Sequence, residues 1–270
     1  MQPTAQAVGE NTNRGEPRRG GRKHTAPPSL AGCLSARRLG QPEPVAIKIL
    51  PMAEPQASIH SPDIHPLARA FYSRDPRRVA RSLLGKILVR HTPNARLTAR
   101  IVEVEAYLGA EDPAAHSASG RTARNAVLFG PPGYAYIYFI YGNHYCLNVS
   151  CEPDGQAGGV LFRALEPLTG IDQMAAARGI ALRSENDWPK LTSGPGRLCE
   201  AFGITRARDN GCDLTSPDSE LWIGEDGYRA RNIVVTPRVG ITKAASDPLR
   251  YLIDGNRFVS RFVSRKISPK

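Results

Sequence analysis

No run of this sequence approaches the roughly 18 consecutive apolar residues that a membrane-spanning helix requires, so the chain does not read as one that enters a bilayer. Cysteine is sparse and lacks a pairing pattern. The five, at 33, 146, 151, 199 and 212, include no Cys-x-x-Cys, show no zinc-like spacing and are odd in number. A disulfide framework and a structural metal are both disfavoured, which points to a reducing compartment and hence the cytoplasm. Leu30 to Cys33 imitates a lipoprotein cleavage site, but the basic, polar stretch Arg18 to Pro28 stands where an apolar segment should precede it, so no signal peptide is read there. Residues 1–58 lack Phe, Tyr and Trp entirely and carry eight basic against four acidic side chains. Such a segment buries too little apolar surface to offset its ordering entropy, and it reads as a disordered basic arm. Met52 offers an alternative start, in which case the arm is an annotation artefact.

What the sequence has in excess is positive charge: 36 Lys and Arg against 25 Asp and Glu, a net +11 at pH 7. The residues after the arm keep +7 of it. A polyanionic partner accounts for this, whether nucleic acid or an anionic membrane surface, and so does a merely basic cytosolic protein. Charge alone does not separate them.

Folding is expected to begin near His65. A short helix is predicted over Leu67 to Tyr72. A second follows Ser73 or Asp75 as cap, with Pro76 at an early position, Val79, Leu83 and Leu84 facing inward and Gly85 ending it. Lys86 to Arg90 and Ala99 to Tyr107 read as strands. Tyr134–Tyr141 and Tyr145–Ser150 read as a hairpin closed by the two-residue turn Gly142-Asn143, and Val160–Leu165 as a further strand. Helices are expected over Ile171–Arg178 and Pro195–Phe202, each stopped by a glycine, and strands near Leu221, Ile233–Thr236 and Arg250–Ile253. This pattern predicts a single α+β domain over residues 59–270 with a mainly antiparallel sheet. The tandem Arg257-Phe-Val-Ser and Arg261-Phe-Val-Ser reads as a local duplication without assigned function.

Two features carry chemistry. In the strand ending at Tyr107, side-chain alternation puts Ile101, Glu103, Glu105 and Tyr107 on one face. Two carboxylates and a tyrosine there are either a solvent-facing side or the wall of a site, with His116 on the polar segment that follows. In the hairpin, Tyr134, Tyr136 and Tyr138 share a face, and the first two fit ordinary sheet packing. Tyr141, at the tip, has little protein left to pack against and is placed to wedge into a base stack or bind a partner. Arg121, Arg124, Arg163, Arg197 and Arg238 accompany it, and Ser193 to Arg197 opens a helix whose free amides suit a phosphate.

These segments resemble the alkyladenine (3-methyladenine) DNA glycosylases. The similarity runs through RIVEVEAYLGAEDPAAHS (Arg100–Ser117), Pro132 to Gly142, Asn148, RALEPLTG (Arg163–Gly170), SGPGRLC (Ser193–Cys199) and Arg238 to Gly240, in order and with few gaps over residues 66 to 260. Asn143 and His144 stand where the relatives carry an apolar and aromatic pair, and the segment between Asn148 and Arg163 is slightly longer.

The resemblance implies a curved sheet with surrounding helices and a protruding β-hairpin. It also implies a monomeric, cofactor-free and metal-free enzyme of base excision repair acting on double-stranded DNA that contains a damaged purine. It matches Glu105 to the family's general base and Tyr107, His116 and Tyr138 to the walls of its base pocket. Asn148 matches the residue that crowds the 2-amino group of guanine, and Tyr141 the side chain that fills the gap left by the flipped nucleotide. Arg163 matches an arginine supporting the pocket and the abasic backbone, with Arg121, Arg124 and Arg197 as further DNA supports. The implied substrates are 3-methyladenine, 7-methylguanine, hypoxanthine and ethenoadenine, and the product is an abasic site, with no lysine placed for a Schiff-base route. Glu103 has no catalytic counterpart and is expected to be structural. Two other readings stay open: a non-enzymatic nucleic-acid binder using the tyrosine hairpin as a stacking platform, and a carboxylate hydrolase of small nucleosides.

Overall fold

A computed structural model describes residues 63–260. The basic arm, Met52, Cys33 and the Arg261 half of the duplication lie outside them. The strands are β1 (His65–Pro66), β2 (Ile87–Thr92), β3 (Ala95–Tyr107), β4 (Ala135–Ile140), β5 (His144–Ser150), β6 (Gly159–Thr169), β7 (Leu221–Glu225), β8 (Ile233–Thr236) and β9 (Arg250–Ile253). The helices are α1 (Pro76–Leu83), α2 (Ile171–Ala177), α3 (Pro189–Thr192), α4 (Pro195–Ala201) and α5 (Arg206–Asp209). All strand pairings among the described residues are antiparallel, in the order β1-β7-β2-β3-β6-β5-β4, with β9 joining β3 and β8 joining β9. The sheet curls with helices against it, an α+β architecture.

Local sequence explains the first elements. The Asp75 carboxylate accepts the Arg77 amide at 2.8 Å, Pro76 opens α1, and Val79, Ala80 and Leu83 face the core. The helix expected over Leu67 to Tyr72 is one 3₁₀ turn, Arg69–Phe71. The hairpin differs from expectation too. Ile140 pairs with His144, so the loop is three residues, Tyr141-Gly142-Asn143, with Tyr141 itself at φ 55° and Gly142 at φ 76°. Tyr141 therefore belongs to the turn and not to a strand face. Two successive left-handed residues reverse the chain where the two-residue Gly142-Asn143 turn was expected.

β3 is the organising strand. β2 pairs with its first half and β9 with Glu103–Glu105 on the same edge, while β6 lines the other edge. The β3–β6 register breaks around Glu103: Ile101 faces Leu165 and Val104 faces Phe162, but Glu103 faces Ala164, so Val102 and Arg163 fall out of one-to-one pairing. Such irregularities re-aim side chains, and here one bears on Arg163. The apolar core, including Leu83, Val104, Ala106, Leu147, Phe162 and Leu198, forms a single large cluster, with Ile64, Ile87, Val89 and Trp222 as a smaller one. Cys146, Cys151, Cys199 and Cys212 are free thiols. Among the described residues no helix is long and apolar enough to cross a membrane.

Candidate active site

The face of β3 that carries Glu103 and Glu105 is not a solvent side: both carboxylates are fully buried. Glu105 Oε2 accepts the Tyr107 hydroxyl at 3.0 Å. Its Oε1 accepts the Val239 amide at 2.7 Å and lies 3.2 Å from Arg163 Nη1. The Val239 amide reaches it because β9 pairs with this stretch of β3 and the β8–β9 connection arches over it. A buried anion with donors from three directions is held in one orientation.

Glu105 borders a cavity of about 420 Å³ that also meets Tyr107, Tyr138, Tyr141, Arg163 and Arg197. A smaller cavity of about 170 Å³ adjoins it, lined by Ala114, His116, Ser117, Tyr136 and Asn148. Tyr107, Tyr138, Ile140 and Ile241 belong to both linings. The His116 ring stands edge-on to Tyr138, centroids 4.4 Å apart, and its Nδ1 lies 3.0 Å from the Tyr136 hydroxyl. Burial, aided by the Arg124 charge, lowers the His116 pKa, so the imidazole is neutral at pH 7. Burial, then the neighbouring Glu105 charge, raises the Tyr107 phenol; burial and Cys146 raise that of Tyr138, so both stay protonated donors. The Asn148 amide nitrogen donates to the Tyr136 carbonyl at 3.1 Å, which fixes the side chain at the cavity wall.

The structure thus brings Glu105, Tyr107, His116, Tyr138, Asn148 and Arg163 together around two adjoining cavities. Tyr141 sits at the rim, 82% exposed. Arg121 and Arg124 are exposed on the segment after His116, and Arg197 is exposed on α4 beside the larger cavity. Arg238 is a correction. Grouped by sequence with the basic residues around the hairpin, it is buried, with Nη2 2.9 Å from Asp112 Oδ1 and its guanidinium 4.6 Å from the Tyr107 ring centre. Burial without a partner is prohibitive for a guanidinium, and Asp112 supplies one.

Sequence reasoning missed several lining and bracing residues. Tyr136, given to sheet packing, orients His116. Asn125 donates to the carbonyls of His116 and Gly120 at 2.9 and 3.0 Å and accepts the Thr122 amide at 2.7 Å, tying the segment into one piece. Val239 and Ile241 enter from the β8–β9 connection, where only the short stretch Arg238 to Gly240 drew notice.

Comparison with known proteins gives a consistent picture. A family model described as methylpurine-DNA glycosylase matches residues 70–257. Among curated proteins, one from Koribacter versatilis is 63% identical over 195 residues, covering 72% of this chain and 93% of its own. One from Alkaliphilus oremlandii is 46% identical over 202 residues (72% and 98%), and one from Burkholderia cenocepacia 48% over 198 (73% and 92%). Each of the three carries the name "Putative 3-methyladenine DNA glycosylase".

Proposed function

This chain belongs to the methylpurine-DNA glycosylase family, and we propose that it is a monofunctional DNA glycosylase that flips alkylated or deaminated purines from the duplex and hydrolyses their bond to deoxyribose. The substrate range is 3-methyladenine, 7-methylguanine, hypoxanthine and ethenoadenine. The enzyme works as a monomer without cofactor and leaves an abasic site in an intact strand.

The observation that carries this reading is the anchored Glu105 carboxylate beside a slot walled by Tyr107, Tyr138 and His116. A purine inside a duplex is out of reach, and extruding it costs a few kcal/mol. Tyr141, on its left-handed turn at the rim, takes the vacated space and offsets part of that cost. The base enters the smaller cavity and the sugar rests against Glu105 in the larger one. Alkylation at N3 or N7 makes the purine cationic, and a cation against aromatic faces gains roughly 0.5 to 2 kcal/mol. The neutral His116 does not repel that charge and offers a hydrogen bond to neutral lesions. Asn148 crowds the 2-amino group of guanine.

As the glycosidic bond breaks, its electron pair leaves with the base and C1′ becomes oxocarbenium-like. Glu105 stabilises that charge and takes a proton from the water whose oxygen bonds to C1′. One carboxylate is enough, because a damaged purine is already a fair leaving group. Arg163 steadies the carboxylate and, with Arg121, Arg124 and Arg197, supports the DNA backbone.

The test uses a duplex containing a single hypoxanthine or an alkylated adenine. Wild type releases the free base and leaves an alkali-labile site, whereas Glu105→Gln binds the duplex and releases nothing. Full activity in Glu105→Gln overturns the mechanism. Equal release from the free nucleoside overturns the requirement for flipping.

A further inference from the structure

Glu103 is buried as deeply as Glu105, two residues away, yet it borders neither cavity. Its Oε1 accepts Arg163 Nε at 2.9 Å, Arg250 Nε at 2.7 Å and the Ser260 hydroxyl at 2.8 Å; its Oε2 accepts the Ser260 amide at 2.6 Å. Arg163 is therefore shared between two carboxylates. Its Nε edge is turned to Glu103, Nη2 donates to the Ser260 hydroxyl at 3.4 Å, and the nearest approach to Glu105 is from Nη1, at 3.2 Å. The local register break between β3 and β6 is what leaves Arg163 free to lie between them.

We infer that Glu103 is a positioning residue for the reaction: it holds Arg163 by its Nε edge, so that Glu105 faces one guanidinium nitrogen at the cavity wall and not a two-pronged clamp, and it balances the buried positive charge behind the base. The inference rests on Glu105 being the base. An arginine released from Glu103 can turn its fork onto Glu105 and bond it bidentately, the geometry guanidinium and carboxylate prefer. A carboxylate clamped in that way takes a proton less readily, and an unbalanced guanidinium nearby opposes the positive charge growing on the sugar.

The groups facing Glu105 are Tyr107 from β3, Arg163 from β6, Tyr138 from β4, Cys146 from β5 and Arg238 from the β8–β9 connection. Arg250 of β9 stands opposite it in the ladder. Two of these, Arg163 and Arg250, are bonded to Glu103, so Glu103 controls the charge that reaches the base from two strands.

The experiment is a single-turnover pH–rate profile with enzyme in excess over a hypoxanthine-containing duplex, for wild type, Glu103→Gln, Arg250→Gln and the double variant. Glu103→Gln removes a negative charge behind the base. Its rate is expected to fall about 10–100-fold, less than the roughly 100–10,000-fold that a general base itself contributes, with the acid limb moved to lower pH and duplex affinity little changed. Arg250→Gln removes a positive charge from the same carboxylate and moves the acid limb the other way. The double variant restores the charge balance and returns the limb towards wild type, and it supplies a folded protein should Glu103→Gln alone be too unstable. Limbs that stay put in all three variants, or a loss confined to thermal stability, overturn the inference. If Glu105→Gln is itself active, the general-base reading fails first. If Glu105→Gln is inactive while Glu103→Gln has the wild-type rate and limb, only the role of Glu103 fails.

Discussion

The bond network around Asp112 permits a sharp test that is independent of catalysis. Asp112 and Arg238 have side chains 1% and 0% exposed. The Asp112 carboxylate takes both nitrogens of the Arg238 fork and also the amides of Leu108 at 3.2 Å and Ala114 at 3.0 Å. Asp112→Ala deletes all four bonds and strands a buried guanidinium whose remaining bond is to the Ala106 carbonyl at 3.1 Å. Leaving one member of a buried pair uncompensated costs about 3–5 kcal/mol, which for a unit of this size lowers Tm by roughly 6–20 °C. Urea unfolding at constant m measures the cost directly, and a cycle with Arg238→Met isolates the pair, with an expected coupling of about 2 kcal/mol or more. The pH dependence has a definite sign. Burial works against the Asp112 carboxylate, but the Arg238 fork and the two amides outweigh it and hold its pKa below the usual range. Its contribution is complete above about pH 4 and is lost as pH falls through the lower folded-state value. A cost below about 1 kcal/mol, or strict additivity in the cycle, refutes the reasoning.

Tyr141→Gly removes an exposed ring and relieves a left-handed non-glycine residue, so thermal stability is expected to hold or rise by up to about 1 kcal/mol while excision from duplex falls more than excision from single strands. His116 has a lowered folded pKa, so stability declines as pH falls from about 6.5 towards that value; His116→Gln flattens this window in a pH series of unfolding curves, and NMR titration of the ring locates it. Gly109 has φ 81°, and an added Cβ would lie 2.1 Å from the Ala157 carbonyl oxygen; Gly109→Ala is expected to cost more than the roughly 1–2 kcal/mol of the backbone conformation alone and to lower activity with it, read by parallel melting and excision assays. Neutralising Arg121, Arg124 and Arg197 one at a time should each reduce the slope of log affinity against log salt by about 0.9, measured by fluorescence anisotropy on an undamaged duplex, where an unchanged slope removes that residue from the interface.

How much of this was legible follows from where each signal resides. α1 was readable because cap, opening proline, apolar spacing and closing glycine all lie within one short window. The shared face of Glu105 and Tyr107 was readable because a strand has period two. That this face is buried was not, because the groups that close on it, the Arg163 and Arg250 side chains and the connection carrying Val239, come from more than 50 residues away in sequence. Arg238 was misplaced for the same reason: nothing near it in sequence announces Asp112, 126 residues earlier. The turn at Tyr141 was read one residue short, since a large aromatic in the left-handed region runs against local preference. α3 and α5 were missed because four residues each hold little more than one turn of periodicity.

The distribution of charge connects fold to function. Around the cavities, Glu103, Glu105 and Asp112 are matched by Arg163, Arg250 and Arg238, three of each sign, all paired between segments that lie far apart in sequence. Arg121, Arg124 and Arg197 have no carboxylate partner among the described residues and are exposed, so they are available to a polyanion. On the proposed mechanism, the +11 net charge of the chain is therefore not what the sugar meets as its bond to the base breaks. A net positive wall there would oppose the cation that forms, and a net positive outer surface attracts the strand that delivers it. A glycosylase with one carboxylate at the bond has to satisfy both demands at once. Pairing Arg163, Arg238 and Arg250 with carboxylates, while leaving Arg121, Arg124 and the rim residue Arg197 exposed, is how this fold would separate binding from chemistry.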